Sequence, residues 1–164
     1  MEDLLKKISQ YQLFNFLLSG TVLAVLLNKT TSINLIYENI IIGFFAFYFL
    51  GLVISRVGSL IVEPVLKKLK IIEFVPYDDY LSAVKADTKI DTLSQENNTY
   101  RTLIATFLVF VIVYTLDRFA ADLITRNSTA STYIFAVLML LLFIFAYRKQ
   151  TDYITERVRK AKSG

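Results

Sequence analysis

Four aspartates are the residues of this sequence that come closest, by type and spacing, to a catalytic or metal-binding cluster: Asp78, Asp79, Asp87 and Asp91. Carboxylates placed close together can bind a divalent cation or exchange protons with a substrate. The sequence lacks the Asp-x-Asp-x-Asp-Gly pattern of a calcium-binding loop, however, and Asp78 or Asp79 stands where a side chain would cap a short helix. We therefore predict no metal site and no catalytic residue among these carboxylates.

Cysteine and histidine, two residue types that dominate enzyme chemistry, are absent from the 164 residues. Their absence excludes disulfide bonds, thiolate and imidazole metal ligands, and nucleophiles that a histidine activates. The sequence also contains no glycine-rich phosphate loop and no Gly-x-Ser-x-Gly turn. We therefore expect a protein that is not an enzyme and binds no cofactor.

The hydropathy of the chain indicates the elements that position its residues. Hydrophobic residues make up 55% of the sequence and charged residues 20%, and the mean hydropathy is +0.51. The charges lie in blocks between long uncharged runs, which approach the roughly 20 residues that a helix needs to cross about 30 Å of hydrocarbon. This pattern predicts an all-α integral membrane bundle of four transmembrane helices.

The first two predicted spans lie in the N-terminal third of the chain. The first covers residues 11–27, and the second begins near Leu35 and continues as a helix until Pro64 forces a break or a restart. Lys6 and Lys7 before the first run also suit a signal peptide, but acidic residues precede them and no small-residue cleavage site follows. We therefore expect the first run to be a retained helix.

The third and fourth predicted spans follow a long connection. The third covers 102–116 and extends toward Ile124, and the fourth covers 127–147. The predicted organisation is thus the first two helices (1–62), a helical connection (63–101), the last two helices (102–147) and a basic tail (148–164).

The distribution of positive charge predicts the orientation of the chain. Fifteen of the 18 Lys and Arg residues lie in the N-terminal segment, in the middle connection from Arg56 to Arg101 or in the C-terminal tail, whereas the two remaining connections hold three. Because cytoplasmic segments carry the excess of Lys and Arg, both termini and the middle connection are predicted to be cytoplasmic. The net charge of +4 is then explained by contact with anionic lipid, so no nucleic-acid partner is expected.

A stripe of small residues along the second span predicts a close helix contact. Its members are Gly43, Gly51, Ser55, Gly58 and Ser59. Small side chains let two helix backbones approach closely, which is a major source of association in lipid. Asn15 in the first span can add an interhelical hydrogen bond of roughly 1 kcal/mol. The contact can lie within one chain or between copies, and we expect a homo-oligomer.

The middle connection begins with a basic amphipathic segment. Its lysines are Lys67, Lys68 and Lys70, and its apolar residues, which would share one helical face, are Val65, Leu66, Leu69 and Ile72. This pattern is typical of a short helix at an anionic membrane surface. A solvated helix that docks on the bundle is the alternative.

The rest of the connection offers a surface for a cytoplasmic protein partner or a small ligand. Tyr77 and Tyr80 are candidate aromatic anchors on the short helix that one of the two intervening aspartates would cap. Thr92 followed by Gln95 resembles a capping box, so the third membrane helix is expected to begin near Leu93 and to run two turns before it enters lipid. A merely solvated helix surface is the alternative.

In size and layout, over its whole length, the chain resembles the small four-helix inner-membrane proteins that bacteria encode in antiphage and stress-defence systems. The resemblance implies a bacterial inner-membrane protein whose cytoplasmic connection receives a signal and whose assembled helices alter membrane permeability. A membrane anchor or scaffold that holds a cytoplasmic partner without opening a path is the alternative hypothesis. An oligomer with a polar lumen would favour the first, and a closed interior would favour the second.

Overall fold

The computed structural model describes residues 2–126 and 128–163, and every regular element in these ranges is helical. The helices are α1 (Glu2–Thr30), α2 (Ile40–Val57), α3 (Glu63–Lys68), α4 (Tyr77–Ala86), α5 (Lys89–Arg126) and α6 (Ser128–Ser163), and a π-helical turn over Gly58–Val62 joins α2 to α3. No strand occurs among the described residues.

Four segments of these helices are long and apolar enough to cross a membrane. They are Gln10–Thr30, Ile40–Lys68, Lys89–Phe119 and Tyr133–Thr155. The prediction of an all-α protein with four helices long and apolar enough to cross a membrane is confirmed for the described residues. Asn127, where the sequence places the start of the fourth span, lies outside the described residues.

The second membrane helix begins later than the sequence indicated. Residues 32–39 are not helical, and α2 begins at Ile40, so the predicted start near Leu35 is wrong. The side-chain oxygen of Asn39 accepts hydrogen bonds from the backbone N–H groups of Ile41 and Ile42, at 2.9 and 3.2 Å. An asparagine that satisfies two otherwise unpaired N–H groups marks a helix start, and this cap fixes the boundary.

The helix of the second span passes Pro64 by changing its hydrogen-bond pattern. A proline has no N–H, and its ring collides with the carbonyl group four residues earlier in a regular helix. Just before it, the N–H of Glu63 bonds to the carbonyl of Gly58, five residues back, which is the π-helical pattern. The ladder therefore shifts by one residue, and Ile40–Lys68 forms one continuous helical segment.

The basic segment after Pro64 is shorter than predicted. The α3 helix ends at Lys68, and Lys70 adopts a left-handed conformation with φ of 57°. The N–H of Ile71 bonds to the carbonyl of Leu66, and the N–H of Lys70 bonds to that of Lys67, both at 3.0 Å. These are the two hydrogen bonds of a Schellman motif, which ends a helix. The predicted apolar helical face from Val65 to Ile72 is therefore wrong.

Two predicted caps in the middle connection are also wrong. Pro76 occupies the N-cap position of α4, so Asp78 and Asp79 lie inside its first turn. The α5 helix begins at Lys89 instead of Leu93, and the carboxylate of Asp87 accepts the N–H of Lys89 at 2.9 Å. Because α5 begins before Thr92, this residue is not its N-cap. The side chain of Gln95 instead donates to Asp91, one turn back, at 3.1 Å.

The chain divides into two compact units, residues 1–119 and 120–164. In the first unit, the core contains Leu23 and Leu27 of α1, Ile54 of α2, Val62 of the π-helical turn and Ala105 of α5. Each of these residues is at most 4% exposed. The core therefore joins α1, α2 and α5.

The second unit contains α6, which is a single helix through the fourth candidate span. The apolar side chains of residues 133–145 include many that are more than half exposed, such as Ile134 and Phe135. In the C-terminal part of this span, the Lys149 ammonium group lies 5.8 Å from the centre of the Tyr153 ring.

Candidate functional site

A close backbone contact in the first unit occurs where α1 crosses α2, and two glycines face backbone there. A methyl group built on Gly51 would overlap the carbonyl oxygen of Phe16, and one built on Gly20 would overlap that of Phe47. Both glycines are buried. Only a residue without a side chain allows this approach on either helix, and the packed backbones gain the dispersion energy that holds helices together in lipid.

The small-residue stripe of the second span is divided between two neighbouring helices of the same chain. Gly51 faces α1, whereas a methyl group on Gly58 would lie 3.3 Å from the carbonyl oxygen of Arg101 and 3.5 Å from Cβ of Ala105, both on α5. Ser55 and Gly43 are buried as well, although nothing comes closer than 3.8 Å to a methyl group on Gly43. Ser59 is half-buried.

A polar seam lies between α1 and α5. Its members are Tyr11, Asn15 and Ser19 on α1 and Gln95, Thr99, Thr102 and Thr106 on α5. At one end, the Tyr11 hydroxyl donates to the carbonyl oxygen of Gln95 and lies 2.8 Å from the Thr99 hydroxyl. Since a hydroxyl can both donate and accept, Tyr11 can use both groups at once.

Asn15 occupies the middle of the polar seam and is 4% exposed. Its Nδ2 donates to the Thr102 hydroxyl at 3.3 Å, and that hydroxyl donates to the carbonyl of Asn98 at 2.8 Å. Asn15 Oδ1 is buried without a hydrogen-bond partner among the described residues. Asn15 therefore joins α1 to α5, as the sequence suggested. Its amide nitrogen has a hydrogen-bond partner among the described residues, and its amide oxygen has none there.

The last turn of the polar seam contains hydroxyl groups that bond to their own helices. Ser19 donates to the carbonyl of Asn15 at 2.9 Å, and Thr106 donates to that of Thr102 at 2.9 Å. Ser19, Thr102 and Thr106 are fully buried. Hydroxyl groups that bond to the preceding turn are satisfied without a partner helix.

An ion-pair cluster connects the end of the second span to α5. Its members are Glu63, Lys67 and Arg101. The Glu63 side chain is 8% exposed. Its carboxylate oxygens lie 2.6 Å from Nη1 of Arg101 and 3.2 Å from Nζ of Lys67. Two cations compensate the buried carboxylate, as a buried charge requires. Glu63 was not singled out in the sequence because its main partner is 38 residues away.

A basic cavity of about 500 Å³ opens beside this cluster. It is lined by Lys67, Lys70, Ile72, Glu73 and Phe74. The Lys67 ammonium group lies 4.1 Å from the centre of the Phe74 ring, a cation–π geometry. A smaller cavity of about 60 Å³ adjoins these residues and extends to α5, with Glu63, Phe74 and Arg101 among its lining residues.

The remaining candidate contact residues lie on exposed or half-exposed surface. Lys68 is exposed at the last turn of α3. Tyr77 and Tyr80 lie on α4 with their ring centres 6.5 Å apart in a stacked arrangement. Both tyrosines are half-buried, so each presents part of its ring as contact surface.

These groups are suited to binding and packing. Within the described residues, no three Asp or Glu side chains come together in a way that could hold a metal ion. Comparisons of the chain with protein-family models, with curated protein sequences and with solved structures found no match. The function is therefore inferred from the residues of this chain.

Proposed function

We propose that this protein is an integral membrane protein whose termini and middle connection lie in the cytoplasm. The excess of Lys and Arg in these three segments supports this orientation. The inner membrane of a bacterium is the proposed location, through the resemblance in size and layout. Reporter domains fused after Met1, within residues 75–90 and after Gly164 are expected to report cytoplasm, and a fusion near Thr31 is expected to report the outside. An exported reporter within 75–90 would contradict the orientation.

Its proposed role is to anchor a cytoplasmic partner, with no enzymatic activity. The observation that carries this proposal is the ion-pair cluster. Glu63 lies where the second span ends, and its contact with Arg101 at 2.6 Å fastens that end to α5. The two helices that flank the middle connection are therefore fixed to each other. A connection held between two fixed helices is partly ordered before a partner binds. The entropy that is lost on binding is therefore smaller.

The tyrosine pair on α4 is the proposed contact for that partner. Two stacked, partly exposed aromatic rings offer large contact area with few rotatable bonds, which is characteristic of interface anchors. A photo-cross-linking residue at Tyr77 or Tyr80 is expected to yield the same discrete protein adduct in intact cells. The matched control is Thr115, which is exposed on α5 within the third span.

A permeability change in a homo-oligomer, triggered through the connection and serving antiviral defence, is the second candidate function. The polar seam favours it, because it holds hydrogen-bonding groups in the interior of two spans. Separation of α1 from α5 would expose these groups and let water enter. The anchor is preferred because the seam residues Asn15, Ser19, Thr102 and Thr106 are all buried within one chain.

Vesicle leakage separates the two functions. The purified chain is reconstituted into lipid vesicles that contain a self-quenched dye, and dye release is followed by fluorescence. An anchor is expected to release no more dye than protein-free vesicles release. Sustained release that scales with the protein-to-lipid ratio, combined with an oligomer in mild detergent, would overturn the anchor in favour of the permeability function.

A further inference from the structure

The basic cavity lies at the depth of lipid headgroups when the second span crosses a bilayer. The helical segment Ile40–Lys68 has 29 residues, which at 1.5 Å per residue gives about 43 Å. This length matches the roughly 40–45 Å of a bilayer with its headgroup layers. Lys67 and Lys70 therefore stand where the segment reaches the second headgroup layer.

Positive charge dominates around the basic cavity. Lys67, Lys70 and Glu73 line it, and Arg101 adjoins it through the smaller cavity. Glu63 is already shared between Lys67 and Arg101, and the Lys67 side chain is still 44% exposed. The cavity can therefore attract an anion although Glu73 also lines it.

Exposed apolar side chains flank the cavity-lining residues along the chain. Leu69, Ile71 and Val75 are each more than 60% exposed, and Phe74 is 49% exposed. Four large apolar side chains within seven residues form an unfavourable surface in water. Next to a bilayer, they can contact acyl chains while the neighbouring lysines contact headgroups.

We propose that the basic cavity binds the phosphate of an anionic phospholipid. In this arrangement, Lys67 and Lys70 hold the phosphate oxygens, Phe74 packs against the headgroup, and Leu69, Ile71 and Val75 contact the acyl chains. A volume of about 500 Å³ accommodates one headgroup. The proposal requires that the second span crosses a membrane, but it does not require a cytoplasmic partner. It assigns Lys67 and Lys70 to lipid and leaves the α4 tyrosines to a protein.

Lipid retention measured by native mass spectrometry tests this site. The purified chain in mild detergent is offered an equal mixture of phosphatidylglycerol and phosphatidylcholine, and retained lipid is counted for each species. The wild-type chain is expected to retain phosphatidylglycerol preferentially. Each lysine near a headgroup contributes about fivefold in affinity for anionic lipid, so Lys67→Gln with Lys70→Gly is expected to reduce the preference by about 25-fold.

The choice of variants separates lipid binding from folding. Glycine at position 70 relieves the left-handed backbone while it removes the charge, so the double variant keeps its helix end. Lys67→Gln removes one cation from Glu63, but Glu63 keeps its shorter contact with Arg101, at 2.6 Å. The matched control is Lys85→Gln, which removes an exposed lysine of α4 that lies outside the cavity lining. The control is expected to retain phosphatidylglycerol as the wild-type chain does. Equal retention by wild type, control and double variant would overturn the proposal.

A competition experiment distinguishes a lipid from a free phosphate. Inorganic phosphate is added against sodium chloride at matched ionic strength, and retained phosphatidylglycerol is measured again. A lipid site is expected to lose no more phosphatidylglycerol in phosphate than in chloride, because acyl contacts add to the lipid affinity. Selective displacement by inorganic phosphate would assign the cavity to a soluble phosphate compound and overturn the lipid assignment.

Discussion

Gly51 of α2 lies directly against the backbone of Phe16 in α1, so closely that no side chain fits between them. The relationship is reciprocal, since Gly20 of α1 lies against Phe47 of α2. The two helices are therefore locked at one crossing by a glycine from each side, within a single chain.

The first prediction concerns this crossing. Gly51→Ala is expected to lower the free energy of unfolding by about 1–3 kcal/mol, because the added methyl group forces the backbones apart. Thermal unfolding of the purified chain in mild detergent measures the loss. Gly43→Ala is the matched control on the same helix, where the nearest atom would be 3.8 Å away, and it is expected to be tolerated.

The oligomeric state of the Gly51→Ala variant tests whether the Gly51 contact lies within one chain. Since its contact lies within one chain, Gly51→Ala is expected to leave the size of the detergent-solubilised species unchanged. A smaller species with unchanged thermal stability would place the contact between copies instead.

The sequence predicted four helices long and apolar enough to cross a membrane, because charge-free runs of sufficient length have few alternatives in a membrane. It predicted Gly51 from four-residue spacing, but it missed Gly20, whose Ser19 and Thr21 neighbours made it look like an interruption of an apolar run. The Asn39 cap carried a readable signal, an asparagine directly before an apolar run. The Glu63 contact with Arg101 carried none, since it depends on how α2 and α5 pack.

The second prediction concerns the left-handed residue that ends α3. A left-handed backbone costs a residue with a side chain roughly 1–2 kcal/mol, and glycine avoids this. Lys70→Gly is therefore expected to raise the free energy of unfolding by about 0.5–1 kcal/mol after the greater entropy of unfolded glycine is included. Lys68→Gly, two residues earlier inside the helix, is the control and is expected to lower it by about 1 kcal/mol. Equal effects of the two changes would contradict the Schellman ending.

The third prediction concerns the ion-pair cluster. Glu63→Gln removes the anion that compensates Arg101 and Lys67, and it is expected to cost about 1–3 kcal/mol because Arg101 is left partly buried without its charge partner. Glu73→Gln is the control, since Glu73 is exposed. Urea or SDS titration of the folded chain measures both. If Glu63→Gln is as mild as Glu73→Gln, the cluster does not fasten the end of the second span to α5.

The last prediction concerns the hydrogen bond between Asn15 and Thr102. Its length of 3.3 Å exceeds the usual 2.7–3.2 Å range, and the Thr102 hydroxyl already donates to Asn98 at 2.8 Å. Interhelical hydrogen bonds in membrane proteins couple by about 0.6 kcal/mol on average. A double-mutant cycle with Asn15→Ala and Thr102→Val is therefore expected to give a coupling of about 0.6 kcal/mol or less.

Thr106 supplies the matched control for this cycle. It is buried on the same helix face one turn further on, but its hydroxyl donates to the carbonyl of Thr102 at 2.9 Å. Asn15→Ala and Thr106→Val are therefore expected to be additive within about 0.5 kcal/mol. A coupling above about 1.5 kcal/mol between Asn15 and Thr102 would mean that the amide is fully satisfied in the membrane. In that case the polar seam would hold α1 and α5 together far more strongly than this geometry implies, and a permeability change by their separation would lose its physical basis.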